Sequence, residues 1–377
     1  MLPKRWVPEW YDDWNAKNPV NLKGPAIWVG IGGAAVFVTA MVVGYGSPAP
    51  VDNLQTGPRG TGMSVTKFEG ALDTPDPTIA DYYTEQAYPP EEGELLAGEV
   101  YENVQVLGDV TVTNFNRLMV AMNEWVAPEQ GCGYCHAGAD EGQFAADDLY
   151  TKVVSRRMIQ MTQNINESWS GHVNSAEIVG VNCYTCHRGQ NVPSDIWFKI
   201  APITEATAGW ASVQNRVTEQ SQYTSLPSDA LEMYLLEDNP INVHSLESRV
   251  AENPSDPGVA TWQDTERTFS LMNYFSNSLN RNCLFCHNSR AFYSQSGQVT
   301  PQWALAMLGI DMVQEMNNEY LVPLRDVYPE HRLGPVYADA PKAACRTCHK
   351  GYQRPLQGLN VIDDWPELAT TGVPVYE

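Results

Sequence analysis

Positive charge is scarce in this chain. Lys and Arg number 23 against 45 Asp and Glu in 377 residues, a formal net charge of −22. Phosphate recognition needs concentrated Lys and Arg, so nucleic acid is excluded as a partner, whereas a basic protein suits the same field. Charge of either sign is thin, at 18% of residues, while 43% are hydrophobic and Trp, Tyr and Phe number 11, 18 and 9. That apolar content excludes a disordered acidic polymer. No cysteine precedes Cys132, which excludes a lipidated cysteine near the start, and no cysteine stands alone.

The eight cysteines form four pairs with one spacing, each ending in histidine. They are Cys132-Gly-Tyr-Cys135-His136, Cys183-Tyr-Thr-Cys186-His187, Cys283-Leu-Phe-Cys286-His287 and Cys345-Arg-Thr-Cys348-His349. C-x-x-C-H is the attachment signature of c-type haem. Its two sulfurs form thioethers to the porphyrin vinyl groups and the adjacent imidazole binds the iron. Thioredoxin-like pairs need no trailing histidine, zinc sites pair their motifs differently, and disulfides need no fixed spacing. The sequence therefore predicts a tetrahaem cytochrome with four covalently bound c-type haems.

Covalent haem attachment accompanies export, so the haem-bearing part is expected outside the cytoplasm. Residues 24 to 51 carry no charge, and Pro25 to Tyr45 is an apolar run long enough to cross a bilayer. Glycine and alanine are frequent within it, Trp28 and Tyr45 suit the interfaces, and Lys4, Arg5, Lys17 and Lys23 precede it. A retained single-pass anchor with a cytoplasmic N-terminus is expected. A cleaved signal peptide would have a shorter apolar core and a shorter leader.

Residues 1–24 read as the cytoplasmic N-terminus, 25–45 as the transmembrane anchor and 46–95 as an extended periplasmic segment rich in Pro, Gly, Thr and acids. A short strand pair is expected around Val100 to Val112. The motif spacing assigns 96–190 to a first haem pair, 191–262 to a connecting segment, 263–350 to a second haem pair and 351–377 to a C-terminal tail. Met161-Thr-Gln-Asn-Ile-Asn-Glu resembles Met312-Val-Gln-Glu-Met-Asn-Asn-Glu with one residue of slippage, as a duplicated unit would. Apolar stripes at helical steps precede each motif: Phe115 to Val126, Tyr150 to Trp169, Phe269 to Leu279, and Leu305 to Tyr320. Thr300 and Pro301 read as cap and first residue of the last. The expected fold class is mainly α with long loops, a multihaem c-type cytochrome with two pseudo-symmetric haem pairs and one N-terminal transmembrane helix.

Four bis-histidine haems would need eight histidines, and the chain has seven. Four lie in the motifs, leaving His172, His244 and His331, so at least one iron takes another ligand. Methionine thioether is the usual alternative and raises the potential. Met119 and Met272 lie on helices that can fold back over their own motifs. Met158 and Met161 share one stripe and spacing does not separate them. Met312 and Met316 are ligands or packing for the fourth motif. His244 and His331 lie in polar loop sequence and read as surface residues.

With these stretches assembled, the chain resembles the tetrahaem cytochrome subunit of purple-bacterial-type photosynthetic reaction centres. The resemblance rests on Phe115 to Met119 running into Glu124 to Cys132, on Arg156 to Thr162 continuing to Trp169 and His172, and on Asn282 to Asn288. It rests also on Met312 to Pro323, on Cys345 to His349, and on Asp364-Trp-Pro-Glu-Leu368. Carried over by residue, it implies Met119 opposite His136, Met158 opposite His187, Met272 opposite His287, and His172 opposite His349. The family's spacing selects Met158 over Met161.

The resemblance implies an electron relay and not an enzyme. A soluble periplasmic cytochrome c or high-potential iron–sulfur protein would reduce one haem. The chain would then re-reduce the photo-oxidised bacteriochlorophyll pair of the reaction-centre L and M subunits, within a surrounding light-harvesting antenna. It would sit in the inner photosynthetic membrane with the haem domain periplasmic. The alternatives are a membrane-anchored respiratory tetrahaem quinol dehydrogenase, opposed by the histidine count, and a multihaem reductase, which needs an open iron.

Overall fold

The computed structural model describes residues 9–17, 23–45, 51–55, 63–68, 74–139, 142–204, 209–244, 260–290, 292 and 299–376. Two units are distinguished: Met1–Asp52 with Thr66–Asp73, and Asn53–Val65 with Thr74–Glu377.

The first unit contains α1 (Glu9–Lys17) and α2 (Lys23–Tyr45). Every described side chain of α2 is exposed. Its stretch Pro25–Gly44 is apolar enough, by length and composition, to cross a membrane. Twenty helical residues rise about 30 Å, the thickness of a bilayer's hydrocarbon core. Two five-residue strands, Val51–Gln55 and Ser64–Phe68, follow in the chain.

The second unit is built on α3 (Val112–Val126), α4 (Tyr150–Ser168), α5 (Cys183–His187), α6 (Trp262–Leu279), α7 (Pro301–Glu315) and α8 (Cys345–His349). The long helices form where the apolar stripes run. Thr111 caps α3 by accepting from the Asn114 amide, and the helix then buries Leu118, Ala121 and Trp125 on one face. A capping box of Thr261 and Asp264 opens α6, and left-handed Asn280 closes it. Pro301 begins α7 as expected. The Thr300 hydroxyl, however, donates to the Phe285 carbonyl at 2.7 Å and so ties the helix start to the third motif.

The strand pair expected between Val100 and Val112 does not form. Ala97–Val100 is a helical turn, and pairing reduces to one bridge between Leu96 and Thr111. Asn103 and Leu107 adopt left-handed backbone, which breaks an extended run. Gly98 donates instead to the Gly108 carbonyl at 3.0 Å.

The faint sequence repeat has a structural counterpart. On α4, Gln163 donates to the Glu367 carbonyl and Asn166 to those of Leu368 and Val181. At the end of α7 and just beyond it, Gln314 donates to the Tyr234 carbonyl and Asn317 to those of Leu235 and Ala343. Asn166 accepts from the Val181 amide, and Asn317 from that of Ala343. In both cases the bound segment, at Val181 or Ala343, leads straight into a motif helix. The one-residue slip falls just past Asn317, within a π-helical turn, Met316–Leu321, which accommodates the extra residue. Gly189 donates to the Trp125 carbonyl at the end of α3, and Gly351 donates to that of Ser278 at the end of α6.

Two apolar clusters result. Leu118, Trp125 and Ile159 pack with Tyr184 and with Trp365 and Leu368 of the C-terminal segment. Leu271, Tyr274, Ile310 and Val313 pack with Trp197 and Leu231 of the connecting segment.

Candidate haem-binding sites

Each motif closes one helical turn, which places the two cysteines on one face with histidine following. The His136 amide donates to the Cys132 carbonyl and that of His287 to Cys283, both at 2.9 Å. The second and fourth motifs are the short helices α5 and α8. At α5 the Asn182 amide donates to the Thr185 hydroxyl at 3.1 Å, and at α8 the Ala344 amide donates to Thr347 at 3.0 Å. Arg188 and Lys350 end these helices in left-handed backbone. The threonine in Cys-Tyr-Thr-Cys and Cys-Arg-Thr-Cys is thus a buried helix starter.

The imidazoles are oriented by backbone. Nδ1 donates to the carbonyl of Phe144 in His136 (3.0 Å), of Gln190 in His187 (2.8 Å) and of Tyr352 in His349 (3.1 Å). His287 bonds the backbone of Phe292. Outside the motifs, His172 makes the same bond to the Leu305 carbonyl at 2.8 Å. A proton fixed on Nδ1 leaves the Nε2 lone pair for a metal. Burial lowers the proton affinity of all five rings and pushes His187 and His349 down to about 4, so these imidazoles are neutral at neutral pH.

A cavity of about 620 Å³ brings the second and fourth motifs together. Its lining includes Met158, Met161, His172, Cys183, Cys186, His187, Cys345, Cys348 and His349. The rings of His172 and His349 lie 6.3 Å apart, centre to centre, and nearly perpendicular. The sulfurs of Cys186 and Cys348 are in contact. Burial pushes the Cys183 and Cys345 thiols up to about 12, an environment suited to a neutral thioether and opposed to a thiolate.

Those features fit covalent haem. The eight sulfurs are free of disulfides, the imidazoles present a free nitrogen, and the cavity between the second and fourth motifs is lined largely by apolar side chains. The first and third motifs are more open: Cys132 and Cys283 are exposed, and each histidine packs on a half-exposed phenylalanine, Phe144 or Phe292. Met119 packs beside the first apolar cluster and Met272 beside the second. One turn after Met119, the Asn123 amide reaches the Cys132 sulfur at 3.3 Å, so that face of α3 points at the first motif. Met158 and Met161 both line the cavity, as does buried Met312.

His331 is exposed as expected. His244 is half-buried: Nδ1 donates to the Ala260 carbonyl at 2.9 Å and its ring packs on Trp262. Sequence reasoning missed the carbonyls that orient the imidazoles, because any residue can supply one. It missed Lys342 too, buried three residues before Cys345 against Asp339 and the Trp197 ring.

Cysteine pairs followed by backbone-anchored imidazoles, one of them facing His172 from outside the motifs in an apolar cavity, define a c-type cytochrome. Haem held in this way exchanges single electrons. A family model described as photosynthetic reaction centre cytochrome C subunit matches residues 46–369, and the chain belongs to that family. It is 68% identical over 370 residues to the photosynthetic reaction center cytochrome c subunit of Roseobacter denitrificans, covering 98% of this chain and 100% of that one. Subunits of the same name from Rubrivivax gelatinosus and Thermochromatium tepidum are each 38% identical. They cover 89% and 93% of this chain, and 87% and 82% of their own lengths. The chain is thus a haem-bearing electron-transfer component of the reaction-centre complex in the photosynthetic membrane, donating electrons to the reaction centre. Quinol dehydrogenase and multihaem reductase are not favoured.

Proposed function

We propose that the chain holds four haems as two pseudo-symmetric pairs and relays electrons from a soluble donor to the photo-oxidised pigment pair of the L and M subunits. Cys132 and Cys135, Cys183 and Cys186, Cys283 and Cys286, and Cys345 and Cys348 would form the thioethers. His136, His187, His287 and His349 would bind one side of each iron. Met119, Met158 and Met272 would bind the other side in the first three sites, and His172 in the fourth. One-electron exchange between ferrous and ferric iron is the chemistry that bound haem supplies.

The facing of His172 and His349 carries this reading. Metal–nitrogen bonds of about 2 Å, plus ~1 Å from each nitrogen to its ring centre, space two imidazoles on one iron about 6 Å apart. The observed 6.3 Å suits that arrangement. The adjacency of Cys186 and Cys348 further supports a short path between the second and fourth sites. Three sulfur ligands would raise their irons' potentials above that of the His/His site.

The apolar α2 would anchor the chain with its N-terminus cytoplasmic, the surrounding antenna alongside and the haem domain periplasmic. With a net charge of −22, a basic cytochrome c is the better suited donor and a high-potential iron–sulfur protein the alternative. Its association should weaken as salt is added. Mass analysis of the purified subunit should count four bound porphyrins, and a flash given to intact membranes should oxidise haem. Fewer porphyrins, or haem that stays reduced after the flash, would overturn the proposal.

A further inference from the structure

Gly309 lies buried inside α7, where glycine costs a helix about 1 kcal/mol relative to alanine. Its use is explained by the ring beside it. A Cβ at this position would lie 2.7 Å from Cε1, 3.2 Å from Nδ1 and 3.3 Å from Nε2 of His172. One turn earlier, the Leu305 carbonyl accepts the Nδ1 proton of the same ring. The backbone of α7 at Leu305 and Gly309 is therefore the seat of His172, and a methyl group would fill it.

The internal repeat says what stands at this place in the other half. The matched bonds of Gln163 and Gln314, and of Asn166 and Asn317, fix the register between α4 and α7 and set Met161 opposite Met312. In that register Gly309 is the counterpart of Met158. Both positions line the same cavity, which also holds His187 and His349.

We propose that Gly309 decides the identity of the sixth ligand at the fourth motif. By carrying no side chain where α4 carries methionine, it withholds a thioether from α7 and opens the seat for an imidazole from the residues following α4. The inference rests on the reading that His172 caps the fourth iron. Gly309 is a positioning residue: it acts through His172 and lowers the potential of that site relative to a His/Met site.

The test uses the holoprotein in photosynthetic membranes, with variants Gly309→Ala, Gly309→Met and His172→Gly. Readouts are the low-spin electron paramagnetic resonance of each ferric haem, the sulfur-to-iron charge-transfer band and a redox titration. Gly309→Ala should shift or abolish the bis-imidazole signal of one haem and admit carbon monoxide to it, leaving the other three unchanged. Gly309→Met should add one His/Met band and move one step of the titration upward. If His172→Gly loses the bis-imidazole signal while both Gly309 variants keep it, Gly309 has no such role and the ligand assignment stands. If His172→Gly leaves all four signals intact, the ligand assignment itself fails, and the role of Gly309 falls with it. Should Gly309→Met not accumulate, Gly309→Ala, which adds a single carbon, decides alone.

Discussion

Arg117 on α3 and Glu367 near the C-terminus form a two-bonded ion pair at 2.8 and 3.0 Å across 250 residues of sequence. Both side chains are sealed from water, at 1% and 0% exposure. The same guanidinium donates to the Glu85 and Asp364 carbonyls and lies over the Trp365 ring. Burial pushes the Glu367 carboxyl up, and Arg117 pulls it back. Removing one partner strands the other charge, so Arg117→Met should cost about 3–5 kcal/mol of unfolding free energy. The double variant Arg117→Met with Glu367→Gln should recover part of that loss, since two carbonyls still lose their donor. Denaturant unfolding of the soluble portion measures both. A double variant no more stable than the single one would show that the stranded charge is not the cause.

A second buried pair responds to acid. Arg188, next to His187, donates to Asp76 at 2.8 Å, and Thr78 donates to the same carboxylate through its amide and hydroxyl. Burial alone would raise the Asp76 carboxyl, but the Thr78 bonds and Arg188 outweigh it and hold it below the usual value. A depressed carboxyl lends stability that is present above its unfolded pKa, about 4, and lost as pH falls through its folded one. Asp76→Asn should therefore be less stable than the parent at pH 7, with the gap closing below pH ~4. Thermal unfolding from pH 7 to 3 tests it, and a gap that stays constant counts against the pairing.

The long helices were legible because their apolar residues recur at steps that only a helix brings to one face, as Leu118, Ala121 and Trp125 do. The motif turns were legible because covalent chemistry fixes their spacing. Other features were hidden for physical reasons. Gly98 and Gly108 bond across a loop, and no periodicity announces a close approach of two glycines. The Asp364–Leu368 stretch was noticed as a resemblance, yet its roles under Arg117, Gln163 and Asn166 depend on partners two hundred residues away or more. Gly309 carries no side chain, so its meaning exists only once His172 is folded against it.

The paired asparagines make a matched prediction. Asn317 donates to the Leu235 and Ala343 carbonyls and accepts from the Ala343 amide, all within the buried second cluster. Asn166 does the same with Leu368 and Val181. Each substitution to alanine leaves several backbone groups without partners, at about 1–3 kcal/mol per buried group. Asn166→Ala and Asn317→Ala should therefore each lower the midpoint of thermal unfolding by several degrees. A loss in one half and none in the other would deny that the two bonds are equivalent.

Met158 and Met161 are the sharper discrimination, because both line the cavity and both are half-buried. Their counterparts differ. Met161 matches Met312, which is buried in the second apolar cluster, whereas Met158 matches Gly309, where a Cβ would press on the His172 ring that faces His349. The helix position aimed at the metal axis in one half should be the position aimed at it in the other. Leucine conserves most of methionine's volume, so either replacement should cost less than about 1.5 kcal/mol in packing. What remains is sulfur. Met158→Leu should abolish the charge-transfer band of one His/Met haem and let carbon monoxide bind there, while Met161→Leu should leave every haem spectrum as it was. The opposite result would place the ligand one turn further along α4 and would break the register that links Met158 to Gly309.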